Sequence, residues 1–207
     1  MTFSSFFLLS AVFTRAIQSV DTIEPAMVQS TYDCHAISLL YETPLEIDYT
    51  SRPYKIKAGA CELLGISDDG LEYRFRMVDS TPLTAHDVKR AIDRLRDPAN
   101  PSPSSWTMKR VKEVKITDER NFTITLSEKH HVFPWMLTMA HCGVADASGN
   151  GTGPYKLKSW WRNHEMVFER NSSWRGWYEA EGSALESFDE IRYIVVSDVT
   201  TQWLMFL

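Results

Sequence analysis

Cysteine is scarce in this sequence: three residues in 207, Cys34, Cys61 and Cys142. Thiols so few and so scattered cannot form the disulfide framework of a small secreted scaffold. Glycine and proline are equally sparse, nine of each, which excludes collagen-like and low-complexity chains. Positive charge is not in excess either. The 22 Lys+Arg stand against 27 Asp+Glu, a formal net charge of −5, and a mildly acidic chain lacks the electrostatic footprint of a nucleic-acid binder. No internal repeat is visible, so solenoids and propellers are excluded. The apolar stretch from Phe3 to Phe13 is about half the roughly twenty residues that a bilayer-spanning helix needs.

What is present suits a globular protein: 43% hydrophobic and 24% charged residues. The length allows one large domain or two small ones, at roughly 150 residues per domain. Phe3 to Phe13 has two readings. As the apolar centre of a secretory signal it lacks a preceding Lys or Arg and a small-x-small cleavage site before Arg15. As structure, its end runs into a buried first strand, Ala11 to Ile17, with residues 1–10 an apolar leader or disordered. The sequence closes on a second apolar run, Trp203-Leu204-Met205-Phe206-Leu207.

Between these ends the periodicity is informative. Tyr32, His35/Ala36, Leu39 and Leu40 recur at helical spacing within Ser30 to Tyr41. Leu71, Tyr73, Phe75 and Met77 alternate with Glu72, Arg74 and Arg76, the mark of a half-buried strand. Asp68-Asp69-Gly70 before it is turn chemistry. Thr84 caps a helix over Ala85 to Arg96, with Asp87 as capping-box partner and Val88, Ala91, Ile92 and Leu95 as its buried stripe. Asp97-Pro98 ends it. Val111 to Ile116 and Phe122 to Leu126 predict a hairpin, and Phe133 to His141 a short helix opening at Pro134. Gly149 to Gly153 reads as a loop, followed by strands at Tyr155–Trp160, Met166–Arg170 and Ile191–Val196. Asp198 caps a final helix. The order predicts a mixed α/β protein with an inserted β-rich subdomain.

Several segments resemble one family in order. Ser67-Asp68-Asp69-Gly70-Leu71-Glu72-Tyr73-Arg74-Phe75 resembles the S-D-D-G-L-x-Y-x-F strand of the oligopeptide/dipeptide solute-binding proteins of ABC importers, solute-binding family 5. Thr81-Pro82-Leu83-Thr84-Ala85-His86-Asp87-Val88 is similar to its T-P-L-T-A-x-D-V, and Gly151-Thr152-Gly153-Pro154-Tyr155-Lys156-Leu157 to its G-T-G-P-Y-x-L. Asp21-Thr22-Ile23-Glu24-Pro25, Glu169-Arg170-Asn171, and Phe188-Asp189-Glu190-Ile191 with Asp198-Val199-Thr200-Thr201 resemble three further motifs. Two departures are visible: the turn between Met77 and Ser80 is shorter than in the family, and a helix between Val144 and Gly149 is missing.

The resemblance implies a type II periplasmic-binding-protein-like lobe I, with residues 11–50 and 151–207 as a partial lobe core and 51–150 as the inserted subdomain. Family members are more than twice this length, so the second lobe is expected to be missing. The implied function is extracytoplasmic or periplasmic capture of a peptide, or other small solute, for an ABC permease complex in the membrane. Neither catalysis nor a cofactor is implied. The apolar end then reads as a helix cut short, exposing a face through which copies self-associate. The alternatives are a stand-alone or regulatory domain that senses a ligand or binds a partner, and a non-functional truncated copy.

By the same resemblance, Val20 and Asp21 occupy the loop after the first strand that lines the cleft, and Trp106 matches a ligand-facing aromatic. An indole offers a large apolar face at low entropic cost. The residues alone leave Asp21 open as a turn carboxylate capping local N–H groups and Trp106 as a partly buried structural aromatic. Other chemistry finds less support. Cys34-His35, His130-His131 and His141-Cys142 are adjacent pairs whose side chains point apart, without metal-ligand spacing. No G-x-S-x-G elbow occurs. Gly151-Thr152-Gly153-Pro154 is no phosphate cradle, because Pro154 removes a donor. Trp160-Trp161 and Trp174-Arg175-Gly176-Trp177 invite a carbohydrate platform, but core and rim packing is the expectation.

Overall fold

The computed structural model describes residues 11–179 and 188–206; the leader expected over residues 1–10 lies outside the described residues. In chain order the first elements are β1 (Val12–Ile17), α1 (Thr31–Leu40), β2 (Leu45–Asp48), β3 (Lys55–Ala58), β4 (Cys61–Ile66) and β5 (Glu72–Met77). Then come α2 (Ala85–Leu95), β6 (Val111–Ile116), β7 (Asn121–Leu126) and the one-turn α3 (Phe133–Met136). The last are β8 (Tyr155–Trp161), β9 (Glu165–Arg170), α4 (Gly176–Glu179), β10 (Glu190–Val195) and α5 (Val199–Phe206).

Two four-stranded sheets carry separate cores. The first has the order β1-β10-β9-β8. β1 lies parallel to β10, while β10–β9 and β9–β8 are antiparallel. β8 therefore runs in the direction of β1, and these two outer strands finish at the same end of the sheet. α1 packs on this sheet, burying Ala36 and Leu40 against Ile17, Met166, Phe168 and Tyr193. The second sheet, β4-β5-β7-β6, is wholly antiparallel. Its inner face sets Tyr73, Phe75 and Met77 of β5 against Val88, Ile92 and Leu95 of α2. Phe75 stacks on Phe122, with centroids 5.1 Å apart. β2 and β3 form a two-stranded ribbon beside it.

Local chemistry sets these elements. Gly70 adopts a φ of 70° in the turn before β5, which a side chain disfavours. Thr84 and Asp87 form a reciprocal capping box at the start of α2, as do Ser30 and Asp33 at the start of α1. Gly153 sits so close to the end of α1 that a Cβ there would lie 2.5 Å from the Leu40 carbonyl carbon.

Two expectations are corrected. The first strand is an edge strand, not a buried one: Val12 and Phe13 are exposed and only Ile17 is buried. Among the described residues β1 has a neighbour on one side alone. The helix expected over Phe133 to His141 breaks after Met136. Leu137, Thr138 and Met139 bond three residues back instead of four, and Met139 is extended (φ −83°, ψ 146°) before a 3₁₀ turn at Ala140–Cys142.

Candidate functional site

The shared end of β1 and β8 gathers the polar groups of the chain's first loop. Ligands of open α/β sheets bind outside the carboxyl ends of the strands, and the segment leaving β1 at this edge contains Val20 and Asp21. Val20 is buried and packs into the core of the first sheet. Among the described residues no hydrogen bond uses the Val20 N–H or carbonyl. Asp21 is exposed, and its backbone is held from both sides. Its N–H donates to Asp33 Oδ1 at 2.8 Å, and its carbonyl accepts from Arg162 Nη1 at 3.4 Å. Arg162 belongs to the β8–β9 turn, where its guanidinium lies over the Trp160 ring, 4.3 Å from the centroid. Beside it the exposed Trp161 stacks on His164, with centroids 4.0 Å apart.

Asp33 organises this loop. The side chain is 1% exposed, yet its carboxylate accepts four backbone N–H groups, those of Asp21, Thr22, Gln29 and Ser30. Burial raises its pKa, but the Asp21, Ser30 and Thr22 amides with the Ser30 hydroxyl outweigh that and hold it below its ordinary value. The cap of the loop is thus Asp33 and not Asp21, whose carboxylate bonds no N–H among the described residues.

Trp106 sits in a 3₁₀ turn, Ser105–Met108, with 57% of its surface exposed. Its loop is fastened to the segment after Asp21, because Ser102 Oγ donates to the Ala26 carbonyl at 2.5 Å. No hydrogen bond or ring contact joins Trp106 to Val20 or Asp21. The structure therefore places the three expected residues on neighbouring segments, with Trp106 presenting an open indole.

A cavity of about 640 Å³ opens at the other end of β8, by Tyr155. Val20, Asp21 and Trp106 do not line it. Its wall holds a buried ion pair, Arg175 to Glu42 at 2.9 Å, with side chains 12% and 3% exposed. Thr152 Oγ1 donates to Glu42 Oε2 at 2.7 Å, and Arg175 Nη2 to the Gly59 carbonyl at 2.6 Å. Because Glu42 follows α1 and Gly59 precedes β4, this pair ties the two sheets together. Trp174 and Trp177 meet edge to face at 81°, and the Trp177 Nε1 donates to the Asn171 carbonyl. They pack on each other and offer no flat platform.

Elsewhere titratable groups are structural. Burial pushes the Cys61 and Cys142 thiols up, and each donates to a main-chain carbonyl, of Pro44 and Met136. Burial pushes His141 down to about 4, so its ring is neutral at physiological pH. Among the described residues no three His, Cys, Asp or Glu side chains converge on a metal position. Asp33, Arg162, Glu42 and Arg175 were not singled out for these roles by the sequence. The one signal available was the Ser30–Asp33 spacing of a short-armed capping box.

An open sheet that pairs β1 with the sequence-distant β10, with α1 on its face and a β-rich sheet formed by the residues between, is one lobe of the type II periplasmic-binding-protein fold. The unliganded open form of the periplasmic murein tripeptide-binding protein MppA matches it with a TM-score of 0.81 at 18% identity, over 95% of this chain and 44% of that one. The pheromone receptor PrgZ gives 0.81 at 17% identity, over 96% and 45%. The chain belongs to the bacterial extracellular solute-binding proteins, family 5 Middle, whose sequence profile matches residues 23–207. The glutathione-binding protein GsiB of Escherichia coli O1:K1 / APEC is 25% identical over 204 residues, and that of Shigella flexneri 24%. The chain spans 38% of the length of each of these relatives, which align with 89% of it. Among the described residues no helix is long and apolar enough to cross a membrane.

Proposed function

We propose that this chain supplies one wall of a cleft that captures short peptides outside the cytoplasm for an ABC importer, without catalysing a reaction. The observation that carries this is the loop after β1. A buried carboxylate, Asp33, fixes its backbone, and the Val20 N–H and carbonyl at the carboxyl end of the sheet have no hydrogen-bond partner among the described residues. Unpaired main-chain groups of that kind hold an extended peptide by strand-like hydrogen bonds. The family and the peptide-binding relatives support the same assignment.

One wall buries one side of a ligand, whereas affinity in such sites comes from enclosing most of its surface. Short peptides, glutathione among them, should therefore bind this 207-residue chain weakly, with dissociation constants of roughly 1 mM. Amide chemical-shift titration should locate the shifts at Val20, Asp21 and the Trp106 indole. Micromolar binding by calorimetry would refute the one-wall assignment, and peptides that move no resonance there would refute the site. The apolar face of α5, with Val199, Leu204 and Met205 exposed, is proposed as a self-association surface. Light scattering should then report dimers or larger species, and a monodisperse monomer would overturn it.

A further inference from the structure

Two opposite charges stand side by side at the shared end of β1 and β8 without neutralising each other. Arg162 reaches the Asp21 main chain, donating to its carbonyl at 3.4 Å. The Asp21 carboxylate nevertheless makes no ion pair with Arg162 or with any other described cation, and Arg162 has no carboxylate partner among the described residues. Both side chains are exposed. Their anchors are nonetheless ordered. The Asp21 N–H is bound by the buried Asp33, and the Arg162 guanidinium rests on the Trp160 ring. Groups ordered before a ligand arrives lose less freedom when it binds.

A carboxylate and a guanidinium on adjoining segments, with the Asp21 carboxylate and the Arg162 Nε and Nη2 unbonded among the described residues, complement a molecule that bears an ammonium and a carboxylate on one carbon. The guanidinium fork takes a carboxylate through two parallel N–H donors, and the carboxylate of Asp21 accepts from an ammonium. A dianion meets repulsion from Asp21, and a simple amine meets it from Arg162. A zwitterion with its charges at opposite ends, such as γ-aminobutyrate, brings only one of them to the pair, so an ammonium and a carboxylate on one carbon satisfy both. The geometry points to Asp21 and Arg162 as a subsite for the zwitterionic α-amino-acid head group of a ligand, the group at the γ-glutamyl end of glutathione. This subsite rests on the peptide-cleft assignment above and specifies which end of the ligand meets this wall.

The test is a resonance titration of the isotopically labelled chain with four probes: glutathione, L-glutamate, γ-aminobutyrate and glutarate. γ-Aminobutyrate lacks the α-carboxylate and glutarate lacks the ammonium. Glutathione and L-glutamate should shift the Arg162 side-chain Nε–H and the Asp21 amide, with the two truncated probes roughly tenfold weaker. Arg162→Ala should weaken L-glutamate roughly tenfold and leave γ-aminobutyrate unchanged, erasing the preference between them. Asp21→Asn should erase the preference for L-glutamate over glutarate in the same way. Both positions are exposed, and unchanged amide dispersion elsewhere shows that each variant is folded. Equal weakening of all four probes by Arg162→Ala, or glutarate binding as well as L-glutamate, would overturn the subsite. Peptides that shift Val20 and Asp21 alike in wild type and Arg162→Ala overturn the subsite and leave the cleft wall standing. If no probe or peptide moves any resonance at this edge, both fall.

Discussion

Replacing Asp33 by asparagine should loosen the whole segment between β1 and α1. Oδ1 accepts the Asp21 and Thr22 N–H groups at 2.8 and 3.3 Å, and Oδ2 those of Ser30 and Gln29 at 3.1 and 3.4 Å. Asparagine keeps one acceptor oxygen and turns the other into an NH₂ group facing two donors. Two bonds to a charged acceptor are lost, each contributing about 1.5–3 kcal/mol. Because one bond in each pair is long, the low end applies, and the expected loss is about 3 kcal/mol. For a chain of this size that lowers Tm by roughly 6–12 °C. The pH dependence gives a second, independent readout. Since the folded pKa of Asp33 is lowered, the folded state binds this proton less tightly than the unfolded state. Its contribution is complete above the unfolded value, about 3.9, and disappears as pH falls through the folded one. Asp33→Asn should therefore lose less stability than wild type on acidification from about pH 5. Urea unfolding followed by tryptophan fluorescence, at neutral pH and through an acid series, measures both effects. A destabilisation under about 0.5 kcal/mol, or identical acid slopes, would refute the role given to this carboxylate.

Three further outcomes follow from other contacts. Glu42→Gln removes the buried carboxylate that meets Arg175 at 2.9 Å and should destabilise by about 3–5 kcal/mol in the same assay; a loss below about 1 kcal/mol would show this contact to be dispensable. Gly153→Ala drives a methyl into the Leu40 main chain at 2.5 Å and should cost about 1–3 kcal/mol by strain, whereas an unchanged Tm would contradict that close approach. Trp106→Ala, at an exposed indole, should alter stability by no more than about 0.5 kcal/mol while weakening peptide binding, and a binding isotherm equal to wild type would remove Trp106 from the site.

How far the sequence reveals this fold depends on how local each signal is. β5 was legible because Tyr73, Phe75 and Met77 alternate without interruption, and α2 because Thr84 and Asp87 mark its start. β2 and β3 were not, since Leu45-Glu46-Ile47-Asp48 and Lys55-Ile56-Lys57-Ala58 are short and rich in charge. β4 was missed because a bulge between Leu63 and Gly65 shifts its register and breaks the alternation. Val20, Asp21 and Trp106 are marked only by motif resemblance, and the burial of Val20 beside the exposed Asp21 and Trp106 is a matter of tertiary packing. Arg162 carries no local mark at all. It meets Asp21 across 141 residues of sequence, and only the parallel course of β1 and β8 brings them together. Asp33 could be read as half of a capping box, but not as the acceptor for Asp21 and Thr22 as well.

The pairing of β1 with β10 also sets an order of events during synthesis. Ala11 bonds to Asp189, 178 residues later, whereas β4 to β7 join through neighbouring strands and α2. Loop closure over so long a span is slow, and local hairpins precede it. At about 5–20 residues per second, the ribosome delivers β10 roughly 10–40 s after β1. Throughout that interval Val12, Phe13 and Ile17 are unpaired and open to whatever binds nascent apolar strands. The antiparallel sheet is complete long before, so of the two sheets the first is finished later, by strands distant in sequence.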